Sequence, residues 1–174
     1  MDNQIIISVF ELTLSILIGV LSLFLTHYIL IKIYKSRTND EKPYENTAFL
    51  IFLSGIIFSM GFLLSGLTTP LSSTLDMLSV GNNSATTTMI SFSKYVFIFC
   101  FLGFLLGGFI NFLTYLLFTN LTTKLNEFEE IKNGNIGVAI LVSVIAITIA
   151  VFCKEPFLVT LEYFIPYPEI PIIK

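Results

Sequence analysis

The sequence predicts an all-α integral membrane protein with four transmembrane helices, and three observations carry that prediction. Residues 12–31, 48–75, 95–123 and 133–153 contain no Asp, Glu, Lys or Arg, and each stretch is at least 20 residues long. At about 1.5 Å per helical residue, such a stretch crosses a hydrocarbon core of about 30 Å. Second, the runs are continuously apolar, whereas a barrel strand would alternate; lipid leaves the backbone no other way to satisfy its own N–H and C=O groups. Third, the 174 residues are 55% hydrophobic and only 12% charged, with a mean hydropathy of +0.87, where a soluble domain carries about 25% charged residues.

The first helix is expected to remain as an anchor. The ten residues before Glu11 hold no Lys or Arg, Glu11 interrupts the apolar start, and no small-residue cleavage site follows. Glu11 falls at the outer interface and His27 in the inner quarter of the bilayer, about two turns or less from Lys32. Ionisable groups at such depths are candidates for proton handling; the plainer alternatives are a snorkelling carboxylate and a lone histidine with no second metal ligand. Lys32, Lys35, Arg37 and Lys42 follow this helix, and Lys124 and Lys132 follow the third. Only Lys94, Lys154 and Lys174 lie on the other side. Six cations against three place both loops in the cytoplasm and both termini outside.

The second apolar stretch exceeds one span, and Ser65, Gly66, Thr68, Thr69 and Pro70 predict a break near its outer end. Residues 71–80 then read as a short amphipathic turn bearing Asp76, before a polar loop over residues 81–88. In the third helix Gly103 and Gly107 have the GxxxG spacing, with Gly108 beside them. Together with Gly19 on the first helix they mark close backbone packing, either inside the molecule or as a homo-oligomer seam. Asn111 and Thr114, further along, are mid-membrane polar residues that require hydrogen-bond partners; they read as interhelical glue or as part of a transport path. Cys100 and Cys153 fall near the outer ends of the third and fourth helices, as buried small residues or a disulfide pair.

The fourth helix begins as the second does. Glu45-Asn46-Thr47-Ala48 opens one, and Glu129-Glu130 through Asn135-Ile136-Gly137 opens the other. Asn is a preferred N-cap, and carboxylates before the first turn suit the positive end of the helix dipole. Asn46, Thr47 and Asn135 therefore define a candidate cytoplasmic helix-start site, able to attract an anion or lipid phosphate, unless they are caps alone. The likeness extends further. Shifting the chain by 89 residues pairs Gly19 with Gly108, Lys35 with Lys124, Glu41 with Glu130, Asn46 with Asn135 and Ser54 with Ser143. A tandem duplication of a two-helix unit is expected, with copies at about 5–66 and 94–155. Two spans per copy make the repeats parallel, about a pseudo-axis along the membrane normal. Residues 1–155 then form one membrane domain. Residues 156–174 form a tail whose Pro156, Pro166, Pro168 and Pro171 are expected to exclude a continuous helix. Its aromatic residues suit an outer headgroup belt or an envelope partner.

These helix starts, with Ser54-Gly55 and Pro70-Leu71-Ser72-Ser73, resemble the YjfL-type bacterial inner-membrane proteins, a domain of unknown function, over roughly residues 5–155. The resemblance implies a multi-pass protein of the bacterial plasma membrane and brings no activity or cofactor with it. The residues themselves show no metalloprotease, phosphate-loop, nucleophile-elbow or cysteine-rich metal pattern and no basic cluster for nucleic acid. The expected function is thus non-enzymatic and free of cofactors: a bilayer-embedded scaffold or complex subunit, as a homo-oligomer or with a membrane partner. Alternatives are a small channel using His27, Asn111 and Thr114, and lipid-headgroup binding at the helix starts.

Overall fold

The computed structural model describes residues 2–81, 85–121, 127–165 and 167, and side chains at 9, 12–79, 86–114, 116, 128–165 and 167. The described residues form six helices: α1 (Asp2–Thr38), α2 (Thr47–Leu64), α3 (Thr68–Gly81), α4 (Ala85–Leu121), α5 (Glu127–Lys132) and α6 (Ile136–Glu162). Four segments are long and apolar enough to cross a membrane: Leu12–Thr38, Thr47–Ser79, Thr86–Thr114 and Ile136–Glu162. The four-span, all-helical architecture is therefore as expected. The break in the second span is a single 3-10 turn, Ser65–Leu67, after which α3 continues as helix. Pro70 fits because it sits in the first turn of α3, where its missing N–H has no intrahelical partner. Residues 71–80 belong to this helix, with Leu71 and Thr74 fully buried and Asp76 exposed.

The centre of the bundle is the α2–α6 pair. Ser143 Oγ donates to Ala139 O (2.7 Å) and to Ile51 O across the interface (3.3 Å). Ser59 Oγ donates to Ala146 O (3.2 Å), and Lys154 Nζ to Ser65 Oγ (3.1 Å). These contacts advance in the same direction along both helices, so α2 and α6 are parallel. Small residues let them approach: Ala139, Ala146 and Ala150 are buried on α6, and a Cβ added to Gly55 would strike Ser143, with its Cα only 2.9 Å away.

α1 packs on α2, and α4 packs on α2, α3 and α6, while α1 and α4 barely touch one another. Burial reflects this arrangement: 56% of the apolar window is buried for the second span, against 17% and 22% for those of α1 and α4. The face that α1 turns inward repeats every fourth residue, through Ile18, Ser22, Thr26, Tyr34 and Thr38.

The expectation that Pro156 excludes a continuous helix is not met, since α6 runs through it to Glu162. Beyond the proline, Phe157 and Leu161, with Ile165 after the helix, enter the same buried cluster as Leu64, Leu67, Leu71 and Phe99. Burying three large side chains outweighs a helix-interior proline, which disfavours the helix by about 3 kcal/mol. Of the later prolines, 166, 168 and 171 lie outside the described residues. Cys100 and Cys153 are half-buried free thiols against this cluster.

Candidate functional site

Local chemistry builds the end of the bundle where α2 and α6 start. α1 stops at Asn39, whose φ of 50° is left-handed and whose N–H donates to Lys35 O (2.9 Å). α5 stops in the same manner at Gly134, φ 83°, with Gly134 N–H on Ile131 O and Asn135 N–H on Glu130 O. Each next helix is capped by asparagine. Phe49 N–H donates to Asn46 Oδ1 and Val138 N–H to Asn135 Oδ1, both at 3.2 Å.

The two asparagines then diverge. Asn46 Nδ2 donates to Ile131 O (2.8 Å) and Lys132 O (2.9 Å), tying α2 to the end of α5. Asn135 Nδ2 donates to Glu130 Oε2 (2.8 Å), within its own segment. Lys132 Nζ closes the corner by donating to Thr38 O (2.7 Å) at the end of α1. Every polar atom named here already has a protein partner, so the arrangement serves as a clasp between chain segments. Thr47 is exposed in the first turn of α2.

A separate cavity of about 710 Å³ opens between α1 and α4, floored by α2. Leu25, Ile29 and Ile33 of α1 face Phe52, Ile56 and Met60 of α2 and Phe104 and Phe112 of α4. Lys32, Ser36 and Arg37 line it towards the end of α1, while Thr26 and Asn111 line its interior. Thr26 Oγ1 and Asn111 Oδ1 are the two buried side-chain polar atoms without a partner among the described residues.

The remaining expected residues separate. His27 Nε2 shares a hydrogen bond with Tyr44 Oη (3.0 Å) at an exposed position, rings stacked 6.0 Å apart, away from the cavity lining. Thr114 is fully buried and donates to Ile110 O of its own helix (2.9 Å). Asn111 Nδ2 donates to Gly107 O (2.8 Å), leaving Oδ1 towards the cavity. The side chain of Glu11 lies outside those described, as do Lys124 and Lys174. Gly103 and Gly107 are filled from within, since an added Cβ would strike Leu64 Cδ2 and Met60 Sδ respectively. Gly19 and Gly108 have nothing within 4 Å of such a Cβ, and Gly108 lines the cavity.

Sequence reading missed Thr26, Lys32 and Arg37 as cavity residues and Gly55 as a packing residue. The four-residue spacing of Ser22 and Thr26 was an available signal. The cations counted only towards orientation.

Four apolar spans, two of which make the parallel central pair, define a multi-pass α-helical membrane protein. A family model, the Domain of Unknown Function DUF350, matches residues 4–155. The chain belongs to the DUF350 family. No curated protein and no solved structure matches it.

Proposed function

We propose that the protein is a non-enzymatic scaffold or complex subunit of the bacterial plasma membrane, self-associating through its peripheral helices. The observation that carries this reading is the contrast between the central α2–α6 pair and the exposed faces of α1 and α4. Gly103 and Gly107 already serve the interior, whereas Gly19, like Gly61 and Gly108, has nothing within 4 Å of an added Cβ, and on the sparsely buried α1 it is open to a helix of another chain. The dispersal of His27, Asn111 and Thr114 into separate environments favours a scaffold over a channel lined by all three. Duplication of a two-helix unit underlies the design. Hydrogen bonds from the start of α2, from α2 itself and from the turn after it to α5 and α6 join residues 85 to 92 positions apart, around the 89-residue shift that aligns the two halves. Both termini lie outside the cell on the charge count.

Extraction from native membranes in mild detergent, followed by mass measurement, tests the reading. An assembly is expected, either of this chain alone or with a stoichiometric partner, and Gly19→Leu reduces it. A monomer without partners refutes the proposal.

A further inference from the structure

We propose that the cavity between α1 and α4 is a binding site for an anionic glycerophospholipid, with its phosphate beside Lys32 and Arg37 and an acyl chain in the apolar body. Three independent features of the cavity lead to this ligand. Its volume of about 710 Å³ lies within the roughly 300–1,000 Å³ of ligand pockets. Its polarity is graded. Lys32, Ser36 and Arg37 lie in the last two turns of α1, at the membrane surface, while Ile29, Ile56, Met60 and Phe104 make the deeper wall.

The charges are also available. Among the described residues the only ion pair is Lys42–Glu45, so neither Lys32 nor Arg37 is paired with a described carboxylate. A cationic rim above an apolar body is complementary to an acidic headgroup above a hydrocarbon chain, and a juxtamembrane cation attracts anionic lipid. A zwitterionic headgroup would bring a positive charge to the same rim.

The third feature is the pair of unpartnered atoms inside. Thr26 is 7% exposed, and its hydroxyl finds no acceptor. Burial of such a group in an apolar medium is unfavourable until it is hydrogen-bonded. Thr26 lies six residues before Lys32, about 9 Å deeper along the helix. Thr26 thus lies below the level of the phosphate, on the side where the ester-linked chains of the lipid enter, so an ester carbonyl drawn into the cavity can accept the Thr26 proton. Asn111 Oδ1, across on α4, is left for a water carried in with the lipid. Gly108 keeps the space open, because a side chain there would project into the cavity without meeting protein atoms.

The experiment is native mass spectrometry of delipidated full-length protein titrated with dioleoyl phosphatidylglycerol or dioleoyl phosphatidylcholine, with oleate and inorganic phosphate as further arms. Phosphatidylglycerol is expected to form one-to-one adducts at about one-tenth of the phosphatidylcholine concentration. Lys32→Gln with Arg37→Gln abolishes that preference. Gly108→Leu lowers binding of both lipids, whereas Phe152→Leu, on an exposed face of α6 outside the cavity, leaves it unchanged. Equal binding of the two lipids by the natural protein overturns the proposal, as does a preference that survives loss of both cations. Tighter binding of oleate or phosphate than of phosphatidylglycerol also overturns it. So does efficient disulfide cross-linking between copies through Asn111→Cys, which would show a second chain seated in the cavity. The two glutamine changes are at exposed side chains, so they decide the matter even where Gly108→Leu fails to fold.

Discussion

At the residue scale, the two capping asparagines are alike in sequence but unequal in structure. Both accept one first-turn N–H, and loss of such a cap costs about 1 kcal/mol. Only Asn46 also holds two carbonyls of another segment, at Ile131 and Lys132. Without the amide, Lys132 O loses this donor and Ile131 O keeps only the Gly134 N–H, which adds about another 1 kcal/mol. Asn46→Ala is therefore expected to lower thermal stability in detergent about twice as far as Asn135→Ala. Unfolding read by thiol-reactive dye at Cys100 and Cys153 measures the difference, and equal shifts would show that the clasp contributes nothing. The cap itself was legible, because an Asn between a charged stretch and an apolar run announces a helix start. The reach of its amide nitrogen to residues 85 and 86 positions away was not, because local sequence holds no record of what folds beside it.

At the scale of elements, glycine spacing identifies close packing but not which glycines are packed. Gly103 and Gly107 meet the movable ends of Leu64 and Met60, whereas Gly55 meets the Cβ, Oγ and backbone Cα of Ser143. A side-chain tip can turn aside, and methionine does so readily; a neighbouring backbone cannot without moving a helix. Gly55→Ala is thus expected to destabilise by about 1–3 kcal/mol, with Gly103→Ala and Gly107→Ala losing less. Gly108→Ala is expected to be neutral or stabilising by up to about 1 kcal/mol, since alanine favours helix and the space is empty. Denaturant titration of the four variants in one detergent checks the order; a Gly108→Ala loss as large as that of Gly55→Ala would refute it. Physical chemistry explains why sequence could not rank them. Lipid tails and protein interior are equally apolar, so hydropathy does not distinguish a helix face turned to a neighbour from one turned to the bilayer. α6 announced its packed side through small residues at 139, 143, 146 and 150, one turn apart. α1 carried a weaker signal, the single turn between Ser22 and Thr26. The continuation of α6 past Pro156 was hidden for a related reason: it depends on the burial of Phe157 and Leu161 against helices distant in sequence.

At the scale of the molecule, orientation decides which leaflet the cavity rim meets. α1 and α4 each have 37 residues, about 55 Å of helix, and so extend beyond a hydrocarbon core of about 30 Å or tilt within it. The charges at their ends therefore sit in headgroups or water, where the excess of Lys and Arg governs insertion. Lys154, on the sparsely charged side, is held over the Phe62 ring at 4.4 Å and bonded to Ser65, a placement suited to snorkelling at the interface. Lys32, Arg37 and Lys132 gather at the opposite end, together with the clasp. A cysteine replacing Arg37 and another replacing Asn83, between α3 and α4, report the two sides of the membrane. Both native thiols are half-buried in helices, which keeps background labelling low. In intact cells a membrane-impermeant maleimide is expected to label Asn83→Cys and to reach Arg37→Cys only after permeabilisation. The substitution of Arg37 leaves the loop count at five cations against three, so orientation should survive the probe. The reverse pattern would place the termini in the cytoplasm and turn the Lys32 and Arg37 rim to the outer leaflet. It would then be outer-leaflet anionic lipid, not the inner-leaflet pool, that the cavity has to recognise.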